Sequence, residues 1–133
     1  MPSTVLDVGS GTGATTLAFD LLHPTGRIAV VGIAPSGEMK SFAESLSLRG
    51  HVSASYRQES AADVIANPTL VRACDLIVFS ACFPYGFDGW EKIGASLGDY
   101  RSFDSGAVLV IEPDAKSDAL DSLQRVLRGR GWR

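Results

Sequence analysis

The sequence predicts a doubly wound α/β domain built on a mostly parallel sheet. Three observations predict it. Short, mostly apolar runs alternate with helical patterns along the chain. The runs lack the in-out alternation of a strand with one wet face, so both their faces are covered. A glycine-rich turn joins the first such run directly to a helix, and sheets of this kind bind ligands at the carboxyl ends of their strands.

The elements follow in order. Thr4–Val8 (TVLDV) is a β-branched run that stops at glycines, as a buried strand does. Gly13 to Leu22 carries Leu17, Leu21 and Leu22 at helical spacing, and His23-Pro24-Thr25-Gly26 breaks it. Arg27–Ile33 (RIAVVGI) is a second buried strand. Ser36 is placed to cap the next helix, with Glu38 in its first turn and Met39, Phe42, Ala43 and Leu46 as an apolar stripe. Gly50 stands where a glycine stop belongs.

His51–Arg57 is a third, more polar strand. Ala61–Ala73 is helical in two pieces, because Asn67-Pro68 interrupts it. Leu76–Ser80 (LIVFS) is a fourth strand, followed by a loop over Cys82–Gly89 and a helix over Trp90–Leu97. Ala107–Ile111 (AVLVI) is a fifth strand. Ser117 caps a last helix with Leu120, Leu123 and Leu127 on one face.

Bulk properties narrow the function classes. At 133 residues the chain is one domain, 1–133. The net charge of −3 gives no basic footprint for nucleic acid. Arg125, Arg128, Arg130 and Arg133 gather near the end. Cations suit the last turn of a helix, and a polyanion contact is the alternative. Cys74 and Cys82 form no CxxC pair, and no Cys/His cluster has metal-ligand spacing. Two reduced thiols in a cytoplasmic setting are expected, with no metal and no membrane span.

The chemistry concentrates in Leu6-Asp7-Val8-Gly9-Ser10-Gly11-Thr12-Gly13. Glycine allows positive φ and lets a ligand approach the backbone closely. A dinucleotide would place its pyrophosphate there and would want G-x-G-x-x-G. This chain has G-x-G-x-G, and Asp7 would repel a pyrophosphate. A ligand carrying a cation, such as a sulfonium with an ammonium, would be attracted by Asp7.

VLDVGSGTG is similar to the first motif of the class I, Rossmann-like S-adenosylmethionine-dependent methyltransferases. VVGIAPSGEM, YRQESAADV, DLIVFSACF, GAVLVIEP and LRGRGW resemble, in order, the segments from the family's second strand to the approach to its sixth. The resemblance covers essentially the whole chain. It implies the family's fold lacking its last two strands, S-adenosylmethionine as cofactor, and methyl transfer to an acceptor the sequence does not identify.

By the same resemblance Gly9 and Gly11 line the methionyl end, with Ser10 between them, and Asp7 helps hold its ammonium. Gly13 starts the helix. Glu59 and Ser60 fall near the adenine amino group, Pro35 packs on the adenine, and Ser80 opens the active-site loop. Ala34 is the departure. The family ends its second strand in Asp or Glu, which accepts from the ribose hydroxyls, and alanine cannot. In the active-site loop Pro84-Tyr85 keeps only the second half of the D/N-P-P-Y/F pattern of amino-methylating members, so no catalytic residue is assigned.

Two other functions stand beside this one. A methyltransferase-like scaffold without catalysis is suggested by Ala34 and the degenerate loop. An NAD(P)-binding domain is disfavoured by Asp7 and the glycine spacing. In the family's strand order the fifth strand lies at an open edge, which a partner protein or a further segment would cover.

Overall fold

The computed structural model describes residues 4–22, 27–80 and 107–111, with Arg125 and Arg128. Its elements are β1 (Thr4–Val8), α1 (Ala14–Leu22), β2 (Ile28–Ile33), α2 (Gly37–Glu44), β3 (Val52–Arg57), α3 (Ala61–Ile65), α4 (Pro68–Arg72), β4 (Leu76–Ser80) and β5 (Ala107–Ile111). The five strands form one sheet in the order β3-β2-β1-β4-β5, and every pairing is parallel. The order reverses between β1 and β4, and a doubly wound sheet opens a ligand crevice at the carboxyl ends beside such a point.

The inner strands β1, β2 and β4 are mostly apolar because both faces are covered. Leu6, Val8, Ile33, Ile77 and Phe79 form a core with Val64, Val71 and Cys74 of the α3–α4 segment. Val5, Ile28, Val30, Val52 and Val78 form the core of the other face, with Phe19 of α1 and Leu48 packed on it. Asp7 lies between Leu6 and Val8 and shares this second face. Asp75 ties the strand starts together, its amide donating to Thr4 O (2.9 Å) and its Oδ2 accepting from Thr4 N (3.0 Å).

The strand limits agree with the sequence reading to within a residue. The break at Asn67-Pro68 is also present. Asn67 Oδ1 accepts from Leu70 N (3.1 Å) and Pro68 takes the first helical position, where its missing N–H costs nothing. Asn67→Ala should therefore destabilise the protein by ~1 kcal/mol, lowering Tm by about 4 °C in a thermal melt. An unchanged Tm would mean that the cap contributes nothing.

Two helix expectations are corrected. The buried positions of α1 are Thr16 and Asp20, not a leucine stripe, and Leu21 and Leu22 are exposed. The buried face tolerates these polar residues because each has a hydrogen-bond partner, although Asp20 Oδ1 has none. Thr16 Oγ1 accepts from Tyr56 Oη (2.7 Å), and Asp20 Oδ2 accepts from Arg49 N (2.8 Å). In α2 Ser36 caps as expected, accepting from Met39 N (3.4 Å). The helix then ends at Glu44 with Ser45 as its C-cap, well before Gly50. Met39 and Phe42 are exposed, and Ala43 is the residue α2 buries. Gly50, at φ 91°, instead serves the turn into β3.

The expected loop over Cys82–Gly89, the helices over Trp90–Leu97 and after Ser117, and Cys82 itself lie outside the described residues. Arg125 and Arg128 are helical and exposed. Among the described residues β5 is an edge strand, as the family order implied, and Leu109 and Ile111 on it are exposed. No helix among the described residues is long and apolar enough to cross a membrane.

Candidate functional site

The turn from β1 to α1 is built on glycine conformations. Gly9, Gly11 and Gly13 have φ of 82°, 52° and 90°, where other residues are strained. The turn is fastened to the end of β2: Gly9 N and Ser10 N both donate to Ile33 O, at 3.0 and 2.9 Å. Gly13 N donates to Ser10 O (2.9 Å), and Leu17 N to Gly13 O (3.1 Å) opens the helix. No described residue accepts from the amides of Gly11 and Thr12. A Cβ on Gly11 would meet nothing nearer than Gly9 O at 3.9 Å and Met39 Sδ at 4.0 Å, so the turn has free space at this point.

Below the turn the packing is dense. Gly32 of β2 is in register with Asp7 of β1 on one side and Tyr56 of β3 on the other. The Tyr56 ring fills the space that a Cβ on Gly32 would need, and Ser10 Cβ lies 3.0 Å from that point. Tyr56 Oη, bonded to Thr16, reaches under the helix start. A Cβ on Gly13 would fall 2.6 Å from Leu46 Cδ1 and 3.1 Å from Tyr56 Oη. The turn thus rests on a tyrosine laid over a glycine.

Asp7 is the electrostatic centre. It is 0% exposed. Burial pushes its carboxyl up from 3.8 to about 6, and the Thr15 side chain counters this only in part. That help is not a well-directed bond, because neither carboxylate oxygen has a hydrogen-bond partner. Ser10 Oγ is also buried without a partner. Burial raises the Tyr56 hydroxyl as well; the bond to Thr16 opposes this and the charge of Asp7 adds to it. An unpaired buried carboxylate costs stability, and such groups concentrate where a protein meets a ligand.

The other predicted residues lie along the carboxyl edge of the sheet. Ala34 follows β2, is 1% exposed, and donates its N–H to Arg57 O (3.1 Å). Pro35 is exposed, and its carbonyl accepts from Gln58 Nε2 (3.3 Å). Glu59 pairs with Arg57 (3.0 Å). Ser60 starts α3, its Oγ accepting from Asp63 N (3.1 Å). Ser80 ends β4, in register with Ile111. The structure brings Asp7, Gly9, Ser10, Gly11 and Gly13 together at one turn, and Ala34 and Pro35 follow Ile33, whose carbonyl fastens it. Glu59, Ser60 and Ser80 stand at the ends of the flanking strands.

Sequence reading missed Tyr56, Gly32 and Thr16 as supports of the turn. A glycine inside one strand opposite an aromatic in the next was the available signal. Among the described residues no group of His, Cys, Asp and Glu could hold a metal. Cys74 is buried and its thiol is pushed up to about 11, first by burial and then by Asp75, so it is no nucleophile.

No family model matches the sequence, and no curated protein matches it significantly. Solved structures match the fold. The plantazolicin methyltransferase BpumL, in complex with SAH, is 18% identical with a TM-score of 0.61, over 98% of this chain and 49% of that one. Precorrin-6y C5,15-methyltransferase from Geobacter metallireducens is 15% identical with a TM-score of 0.61, over 96% of this chain and 61% of that one. An SAH-bound methyltransferase from Podospora anserina is 14% identical with a TM-score of 0.56, over 97% and 61%. The chain therefore spans about half of the length of the proteins it matches. Its strand order, its glycine turn and these likenesses together give it the fold of the class I, Rossmann-like methyltransferases.

Proposed function

We propose that this chain is the cofactor-binding part of an S-adenosylmethionine-dependent methyltransferase, acting in the cytoplasm on an acceptor of unknown identity. The observation that carries the reading is Asp7: a buried carboxylate without a hydrogen-bond partner, beneath a turn whose Gly11 and Thr12 amides have no described acceptor. An amino-acid ligand with both charges complements that pair. Its carboxylate would take the free amides, while Asp7 favours its ammonium. Since Asp7 is fully buried, it acts through the turn by its charge, at short range and low dielectric.

In this reading Gly9, Ser10, Gly11 and Gly13 shape the methionyl end. Pro35, Glu59 and Ser60 border the adenine, and Ser80 leads toward the acceptor. When bound, the cofactor supplies an electrophilic methyl group. The protein's task is then mainly to align an acceptor with it.

Ala34 favours a second reading, a methyltransferase-like scaffold without catalysis, because the ribose loses its charged acceptor there. Thermal melts of the purified chain with S-adenosylmethionine, S-adenosylhomocysteine (SAH) and NAD separate the readings. A ligand at 100 times its Kd adds ~2.7 kcal/mol of stability. A saturable rise in Tm with the adenosyl ligands but not NAD is expected. No rise at millimolar concentration with a folded chain would leave the scaffold, and a rise with NAD alone would restore the dinucleotide reading.

A further inference from the structure

We infer that this site takes an adenosyl ligand by its two ends and leaves the ribose hydroxyls unrecognised, so that ribose-modified adenosyl ligands are accepted. The inference rests on the adenosyl reading above. In Rossmann-type sheets the ribose lies at the end of the second strand, beside the glycine turn, where an acidic side chain accepts from its hydroxyls. Here β2 ends at Ile33, and Ile33 O is held by Gly9 N and Ser10 N. Those two bonds place the end of β2 directly against the turn.

The groups that border that point offer no acidic side chain of β2, and most of them have partners elsewhere. A carbonyl oxygen has two lone pairs, and Ile33 O already receives two N–H groups. Ala34 N is bonded to Arg57 O, and the Ala34 side chain is only a buried methyl. Pro35 has no N–H, and its carbonyl holds the Gln58 amide. Glu59 lies past the end of β3, the strand outside β2, with its Oε1 paired to Arg57. Glu38 is exposed in the first turn of α2, where it complements the helix dipole. A ribose hydroxyl arriving here keeps water as its partner, so removing or blocking it changes the affinity little.

Isothermal titration of the purified chain with SAH and its 2′-deoxy and 3′-deoxy analogues tests this. Both analogues should bind within about fivefold of SAH, whereas loss of a bond to a charged acceptor costs roughly tenfold or more. A larger loss with either analogue overturns the inference and leaves the adenosyl reading standing. Failure of SAH to bind the folded chain at millimolar concentration overturns both. Ala34→Asp supplies the absent acceptor, and its gain of about tenfold for SAH should disappear with the analogues. A gain shared by the analogues overturns the inference. Glu38→Gln should leave SAH binding within about fivefold; a greater loss, absent with the analogues, would identify Glu38 as the acceptor and overturn it.

Discussion

Asp7→Asn is expected to stabilise the ligand-free protein above pH 6, by on the order of 3 kcal/mol. The folded carboxyl titrates near 6 and its ordinary value is 3.8. The folded state therefore holds its proton more tightly than the unfolded one. The contribution of Asp7 to stability is greatest below the unfolded value, declines as pH rises from 3.8 to about 6, and is flat beyond. The substitution removes the buried charge and should abolish that decline. Urea unfolding of both proteins at pH 4 and pH 8 measures it. An Asn variant no more stable than the parent at pH 8 would show that the carboxylate is already compensated. The same variant should bind S-adenosylmethionine more weakly, since it trades the charge that attracts the ammonium for stability. Binding by the parent should strengthen as pH rises through 6.

Gly32→Ala is expected to cost ~2–4 kcal/mol, lowering Tm by on the order of 10 °C. The added methyl would land on the Tyr56 ring. Moving that ring breaks its bond to Thr16 and shifts the support of Gly13. In a Tyr56→Ala background the ring is gone and Ser10 Cβ, at 3.0 Å, is the close neighbour that stays, so the same substitution should cost at least about 1 kcal/mol less than in the parent. Thermal melts of the four proteins complete the cycle. Additive effects would mean that the tyrosine does not carry the turn. The turn should distort along with its support, and adenosyl binding should fall with stability in Gly32→Ala.

The strands and the turn were legible because they depend on local rules. TVLDV, RIAVVGI, LIVFS and AVLVI carry apolar residues at both odd and even positions, and such runs are stable only between two covered faces. Gly9, Gly11 and Gly13 announce a turn needing positive φ, and their angles meet it. Asn67-Pro68 is a cap followed by the residue best tolerated after a cap, so the split of that helix was readable.

The helix faces were less legible. Leu17, Leu21 and Leu22 sit at helical spacing, yet α1 buries Thr16 and Asp20. Hydrophobic spacing cannot anticipate this, because the burial is made tolerable by Tyr56 and by the Arg49 amide, 40 and 29 residues away. The same holds for α2. Its end at Ser45 is decided by a local cap, and its packing by Ala43 beside Gly13, leaving Met39 and Phe42 outside.

The sequence by itself determined the fold class, the parallel strands, and a turn chemically suited to a ligand with a positive charge. It also determined that an alanine, and no acidic side chain, follows the second strand. Only the tertiary structure decided that Asp7 lies wholly beneath the turn and that Tyr56 over Gly32 bears it. It also decided that Ile33 O and Ala34 N at the end of β2 are already bonded. The physical reason is common to all three. Burial, register and hydrogen-bond occupancy are set by which strands become neighbours, and β1 meets β2 and β4 only once the sheet is assembled.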